Sequence, residues 1–371
     1  MLDHTTTPPE GGDQAAVPPP PQTIGYRPRF DGRAGEYFGI WIVNVLLTIL
    51  TLGIYSAWAK VRTERYFYGN TRIAGSAFEY LADPIRILKG RLIAYAVVIA
   101  LGLSSHFMPL LYLVLLLAVL ACMPLIVFLA ARFRARYSAW RGLRFRFVHT
   151  AGQAYGPFLG WPVLSLLSLS LLYPLTVRRQ HDYIVSGHRF GRAEFGFEAE
   201  AGPYYVPYVI ALGLGVGGVI LFALAIGAST FLLAGAADGV GSEEPPAALM
   251  LVITSSFVVV YLGMFAVLAF LKTRYTNLLW NHARLGEHRF VSTLSARHVI
   301  WLYASNLVAI LCTLGLATPW AMVRLARYRA ECFEMVVSGS IEDFAADVDE
   351  ERNATGAELS DALDLGMDIG I

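Results

Sequence analysis

Apolar positions along this chain fall into seven blocks, at 36–56, 92–105, 109–131, 153–176, 204–234, 247–271 and 298–318. A hydrocarbon core about 30 Å thick takes roughly 20 apolar residues at about 1.5 Å of rise each. Blocks 109–131, 204–234 and 247–271 meet that requirement. Block 92–105 is short alone, but Ser104-Ser105-His106 to Pro109 reads as a tight turn, so 92–131 predicts a helical hairpin of two spans. The four spans contain no Asp, Glu, Lys or Arg.

The other three blocks are built differently. In each, an apolar limb meets a breaker: Gly53 in the first, Pro174 in the second, Gly315 and Pro319 in the third. An amphipathic segment with Trp, Arg and Tyr follows, such as Ser56 to Tyr68, and Pro319 suits the first turn of a helix. The three are related by repetition. Asn44 to Tyr66 (NVLLTILTLGIYSAWAKVRTERY) aligns without a gap on Asn306 to Tyr328 (NLVAILCTLGLATPWAMVRLARY). Asn44, Thr51, Leu52, Gly53, Trp58, Ala59, Val61, Arg62, Arg65 and Tyr66 all meet their own residue type there. A weaker copy pairs Phe30 with Phe147, Ala34-Gly35 with Ala151-Gly152, Gly39 with Gly156, Arg62 with Arg179, Tyr66 with Tyr183 and Phe78 with Phe195. Repetition at fixed offsets defines the architecture.

The run from Leu46 to Thr71 (LLTILTLGIYSAWAKVRTERYFYGNT) resembles the signature of the YjgN-like bacterial inner-membrane proteins, a family of unknown function. TLGLATPWAMVRLARY and Thr273 to Phe290 (TRYTNLLWNHARLGEHRF) fit the same family, so the resemblance covers roughly Phe30 to Ser340. It implies a multi-pass protein of the bacterial cell inner membrane and implies no activity.

Charge placement bears on topology, because basic residues mark the cytoplasmic side of short loops. Arg27, Arg29 and Arg33 precede the first copy, and Lys60, Arg62, Arg65 and Arg72 follow its apolar limb. Arg132 to Arg146 and Arg178 to Arg192 flank the second, while Lys272 to Arg289 and Arg324 to Arg329 flank the third. The loop 235–246 carries only Asp238, Glu243 and Glu244. If all seven blocks crossed, Arg178 to Arg192 would lie outside. If the three copies dip in and return, every basic segment and both termini are cytoplasmic. The second arrangement obeys the charge rule everywhere. Re-entrant backbone must be shielded by protein, and Asn44, Thr48, Thr51, Asn306 and Thr313 would satisfy freed backbone groups; helix–helix hydrogen bonds within a bundle are the other use for them.

Between the blocks lie period-2 stretches at 71–80, 144–147 and 187–197, the first and last with glycine within them, which predict small β-hairpins gathered into one small cytoplasmic sheet. Residues 1–25 are proline-rich and read as a disordered tail. Residues 341–371 carry ten Asp and Glu against Arg352 alone and read as an acidic tail that is solvated, or docks on the basic surface. Residues 26–340 form the membrane domain. The expected class is an all-α multi-pass membrane protein with about four spans, three short re-entrant helices and small hairpins.

Composition agrees with a membrane protein, at 56% hydrophobic and 15% charged, and a net charge of +1 gives no bulk attraction to nucleic acid. The N-terminus lacks the basic-then-apolar order of a cleavable signal. Cys122, Cys312 and Cys332 read as small core residues. His181-Asp182 and Asn281-His282 lack metal-ligand spacing, and no catalytic motif occurs, so the expectation is no enzyme, no metal and no cofactor. Charge-free spans argue against ion-coupled transport. What remains is Trp58, Arg62, Arg65 and Tyr66, Arg179 and Tyr183, and Trp320, Arg324, Arg327 and Tyr328. Arginine's planar fork suits phosphate, and Trp suits the headgroup level. These residues serve either as interface anchors or as a composite pocket for an anionic amphiphile such as phospholipid. The expected partners are membrane lipids. The rival function is a scaffold that holds protein partners through the two tails.

Overall fold

Helical hairpins and strand pairs alternate along the whole chain. The structure, a computed structural model, describes residues 23–237 and 247–339. Most of both tails and the acidic loop lie outside the described residues. The strands are β1 (Thr23–Tyr26), β2 (Arg29–Phe30), β3 (Thr71–Ile73), β4 (Ser76–Tyr80), β5 (Ser138–Trp140) and β6 (Leu143–Phe147). They continue with β7 (His188–Phe190), β8 (Ala193–Phe197), β9 (Ala283–Leu285), β10 (His288–Ser292) and β11 (Phe333–Ser338). Strand β1 thus begins inside the stretch read as a tail.

Two hairpins are long: α3 (Pro84–Phe107) with α4 (Pro109–Arg136), and α8 (Gly202–Ala237) with α9 (Ala247–Asn281). Within them lie four candidate spans of 24 to 30 residues, and only 6% of each apolar window is buried, so the described residues leave their apolar sides uncovered. The span read as short at 92–105 begins at Pro84, where Asp83 caps the helix by accepting from Ile85 N–H. Cys122 and Cys312 lie exposed on apolar helices rather than in a core.

Three hairpins are short: α1 (Ala34–Leu50) with α2 (Ser56–Gly69), α5 (Ala151–Tyr155) to α6 (Trp161–Leu167) with α7 (Tyr173–Ser186), and α10 (Ala296–Cys312) with α11 (Thr318–Glu331). A π-helical turn, Gly156–Gly160, joins α5 to α6. The tips share one left-handed turn. Leu52 and Gly53 have φ of 50° and 92°, Leu314 and Gly315 have 49° and 94°, and Leu169 and Ser170 have 51° and 69°. The N–H of Gly53, Ser170 and Gly315 each reaches the carbonyl five residues back at 2.7 Å, which closes the helix end. The second hairpin therefore breaks at Leu169-Ser170, and Pro174 starts α7 instead of breaking the apolar limb.

The class differs from the expected one. The hairpins do not remain small: all strands join one eleven-stranded antiparallel sheet, ordered β1-β11-β10-β9-β8-β7-β6-β5-β4-β3-β2. Four two-residue turns set its register: Ala74-Gly75, Arg141-Gly142, Gly191-Arg192 and Gly286-Glu287. Glycine at these positions supplies the positive φ that such turns need. The edge strands β1 and β2 are successive in the chain. One segment, Thr23 to Phe30, thus pairs with β11 by its first half and with β3 by its second, so the sheet curls back on itself. Antiparallel pairing also puts every helical hairpin on one rim and every two-residue turn on the other. Aromatic rings run across the inner face from Phe78 through Trp140, Phe190, Phe145, Phe195 and Phe290 to Phe333, with successive centroids 4.7–6.5 Å apart. Above the sheet the first and last hairpins meet, where Tyr37 and Phe30 pack against Val323 and Ala330.

Candidate anion-binding site

The site is built where the amphipathic limb of a short hairpin turns back along its apolar limb. In the first hairpin, buried Asn44 donates from Nδ2 to the Ala59 carbonyl (3.4 Å) and accepts from Arg62 Nη1 (3.4 Å). In the third, buried Asn306 donates to the Ala321 carbonyl (3.4 Å) and accepts from Arg324 Nη1 (3.1 Å). In the second, Trp161 stands in the asparagine's place. Thr176 supplies the cross-link by donating to the Trp161 carbonyl (3.1 Å), and the Arg179 guanidinium lies 5.6 Å from the Trp161 ring centre. Trp161 and Thr176 escaped the sequence reading because they match no residue type in the other copies; offset 117 alone could have found them.

The remaining polar candidates brace the hairpins. Thr51 donates to the Leu47 carbonyl (2.7 Å) and accepts from Tyr55 N–H (2.9 Å); Thr313 does the same with Ala309 (2.7 Å) and Ala317 (2.9 Å). Thr48 donates to the Asn44 carbonyl (2.6 Å). At the base, each hairpin carries one tyrosine that reaches the start of its apolar limb. Tyr66 accepts from Arg33 N–H (2.8 Å) and donates to its carbonyl (2.9 Å), Tyr183 donates to the Thr150 carbonyl (3.3 Å), and Tyr328 accepts from Ser295 N–H (3.0 Å). Burial pushes all three phenols above their ordinary range, so they remain protonated at neutral pH. Trp58 stacks on Tyr55, 6.2 Å between ring centres, and Arg65 donates to the Tyr80 carbonyl at 3.4 Å.

Of the ten candidates, the third set converges: Trp320, Arg324, Arg327 and Tyr328 line a cavity of about 230 Å³ with His298 and Glu331. Arg65 and Arg327 reach beyond their own hairpins, to the carbonyls of Tyr80 and Gly32. Arg324 is held by Ser305 Oγ (2.7 Å) and Asn306 and lies 5.1 Å from the Trp320 ring centre. Arg327 also borders an open cavity of about 660 Å³ with Arg29, Arg33 and Arg72, where the single carboxylate, Asp31, bridges Arg29 (2.7 Å) and Arg72 (3.7 Å). This cluster brings four arginines around one aspartate. Distant segments assemble it, and the sequence showed them only as flanking charge.

The partners of the arginines separate two groups. In and beside the sheet, Arg27 pairs with Glu334, Arg189 with Glu194 and Arg284 with Glu198. Arg62, Arg179, Arg324 and Arg327 have no ion pair to a carboxylate among the described residues; neutral oxygens and aromatic rings hold them. Such guanidinium groups stay available to a bidentate anion.

Residues 26–362 match the family described as "Bacterial protein of unknown function (DUF898)". The chain is 26% identical over 344 residues to the inner membrane protein YjgN of Salmonella typhimurium strain LT2, covering 81% of this chain and 86% of that one. It is 31% identical over 156 residues to the protein of that name from Escherichia coli O157:H7, covering 41% and 38%. With the Escherichia coli K12 protein it shares 38% over 122 residues, covering 32% and 30%. No solved structure matches.

Proposed function

The chain belongs to the DUF898 family and is an integral inner-membrane protein, and from this we propose that it binds an anionic amphiphile of the phospholipid class through the arginines of its short hairpins. The observation that carries the reading is the set Arg62, Arg179 and Arg324. Each sits about 9 Å below its hairpin tip at about 1.5 Å per residue, each is held by neutral groups, and none is neutralised by a carboxylate among the described residues. A tethered guanidinium at one depth in three places suits the phosphate layer of one leaflet.

The three hairpins are read as repeats of one element that enters from the cytoplasmic face and returns. The shared rim supports this, since a hairpin that leaves the sheet and comes back to it begins and ends on one side. The tips support it too: Leu52, Leu169 and Leu314 are 94%, 87% and 95% exposed, apolar points with nothing among the described residues to cover them. Both termini are then cytoplasmic, on the side of the sheet.

The test is retained lipid. Arg62→Lys and Arg324→Lys keep the charge and lose the fork. A hydrogen bond to a charged group contributes about 1.5–3 kcal/mol, so affinity for added anionic phospholipid should fall roughly tenfold to a hundredfold in the double variant. Parental affinity in both single variants and the double variant would reduce these residues to orientation signals.

A further inference from the structure

A second cavity, of about 540 Å³, lies between the curled sheet and the hairpins α2, α9, α10 and α11. Closure of the sheet creates it: Phe78 on β4 and Phe333 on β11, at opposite ends of the aromatic path, both face into it. Its size falls within the roughly 300–1,000 Å³ typical of small-molecule sites. The walls are Phe67, Trp280, Leu294, Val299 and Leu325 with hydroxyls interspersed. The threonine and serine hydroxyls are already committed. Thr71 donates to the Phe67 carbonyl (2.8 Å), Thr273 to Ala269 (2.7 Å), Thr276 to Lys272 (2.7 Å) and Ser292 to Asn277 Oδ1 (2.8 Å). The wall therefore offers a ligand few free donors along its length. Two cations also line it, Lys272 and Arg329, and no carboxylate does. Arg329 touches only the Tyr303 hydroxyl, at 3.5 Å, and Lys272 Nζ has no partner among the described residues. Tyr328 is common to this chamber and to the Trp320–Arg324 cavity, and so forms the wall between them.

We propose that this chamber seats a single acyl chain whose anionic end meets Lys272 and Arg329. An apolar body answers the aromatic wall, one negative end answers two unneutralised cations, and a polar body would leave its groups unpaired against that wall. The inference rests on the reading above only in the class of ligand, an anionic amphiphile, and gives it a second, separate seat made of residues that reading does not use. A free fatty acid and a lysophospholipid carry the same chemistry here.

The experiment uses the full chain in phosphatidylcholine nanodiscs, with Cys122, Cys312 and Cys332 replaced by alanine and Thr276→Cys as reporter. Alkylation by N-ethylmaleimide is timed with oleate, with lysophosphatidylglycerol, and with inorganic phosphate. At least tenfold slowing is expected from one or both amphiphiles and none from phosphate; the amphiphile that slows it identifies the source. Lys272→Gln should weaken that protection roughly tenfold, the loss expected of one charged hydrogen bond. Arg189→Lys should leave it within about twofold, since Arg189 pairs with Glu194 in the sheet and lines neither cavity. If neither amphiphile protects Thr276→Cys, the chamber proposal is overturned. Should that happen while the arginine variants still lose phospholipid, the earlier reading survives alone. Protection with silent arginine variants would sink the earlier reading and leave the chamber standing.

Discussion

The long and short hairpins rise from the same rim yet are made of different material. In the long pair, α3–α4 and α8–α9, both limbs are apolar through their outer halves, and the charges cluster near the sheet, as at Arg86, Lys89, Arg91, Arg132 and Arg134. In the short ones only the first limb is apolar; the second carries charge from its first or second turn, with Lys60 and Arg62 in α2, Arg178 and Arg179 in α7, and Arg324 in α11. A 17-residue helix such as α1 is about 25 Å long, close to what a thin bilayer needs. Apolar length alone therefore does not separate these hairpins from the long ones. On the re-entrant reading proposed above, the returning limb sets their depth, because it would drag its arginines into hydrocarbon.

The largest effect that could break this comparison is a labelling pattern. With the natural cysteines removed, single cysteines replace Met108 at the tip of the first long hairpin and Leu169 at the tip of the second short one. An impermeant thiol reagent applied from the periplasm should modify position 108 and leave 169 untouched. Labelling at 169 would mean that the short hairpins cross, and the distinction would collapse.

Next comes the polar bridge that only two short hairpins possess. Asn306→Leu leaves Arg324 Nη1 with Ser305 Oγ alone and takes the side-chain donor from the Ala321 carbonyl, which keeps its place in the helix. Losing this pair of hydrogen bonds, one of them to a charged group, costs about 1–3 kcal/mol. Unfolding in nanodiscs should show a loss in that range, whereas Trp161→Leu removes a ring but no hydrogen bond, because its carbonyl link to Thr176 is backbone. Equal losses would mean that the asparagine bridge adds nothing beyond packing.

The tips allow a finer contrast. Gly315→Ala places a side chain at φ +94°, with an expected cost of about 1–2 kcal/mol. Ser170→Gly should do the reverse, relieving the left-handed strain at φ +69°. If both variants unfold at the parental midpoint, the shared turn is not a fixed element of the fold.

That turn also shows what the sequence could reveal. Gly53 and Gly315 mark it plainly, but serine stands at the corresponding place in the second hairpin, where Pro174 is the more visible breaker. Four long apolar helices and the strand periodicity of segments such as Ala193–Phe197 were legible because they are local patterns. The breadth of the sheet was not. Its strands are two to six residues long, and pairings such as Phe145 with Phe190 or Phe195 with Leu285 join segments that only tertiary structure aligns. For the same reason the arginines were legible as a set, while the cavity shared by Trp320, Arg324, Arg327 and Tyr328, and the chamber beneath it, were not.

The smallest expected effect concerns acid. Burial holds His188, on the sheet below the second short hairpin, below the usual imidazole range, against a carbonyl bond from Ile184 that works the other way. The unfolded chain takes up the proton first, so this contribution is complete above the unfolded value near pH 6.5 and is lost as pH falls toward the folded one. His188→Gln should flatten the decline in the unfolding midpoint between pH 7 and 5. An unchanged slope would place the acid sensitivity elsewhere.

The segment that joins the two edges of the sheet has a consequence for biosynthesis. Chains emerge N-terminus first, and Thr23 must find Ser338, one of the last residues of the described chain to be made. Until then β1 has no partner, and a growing protein carries raw strand edges through the insertion of both long hairpins. Contacts of such sequence separation form slowly, and open edges invite pairing with the wrong chain. A nascent chain stalled before Phe333 is therefore an uncapped sheet, whatever its helices have achieved in the membrane. Of the described strands, the first to be translated is the last to be seated.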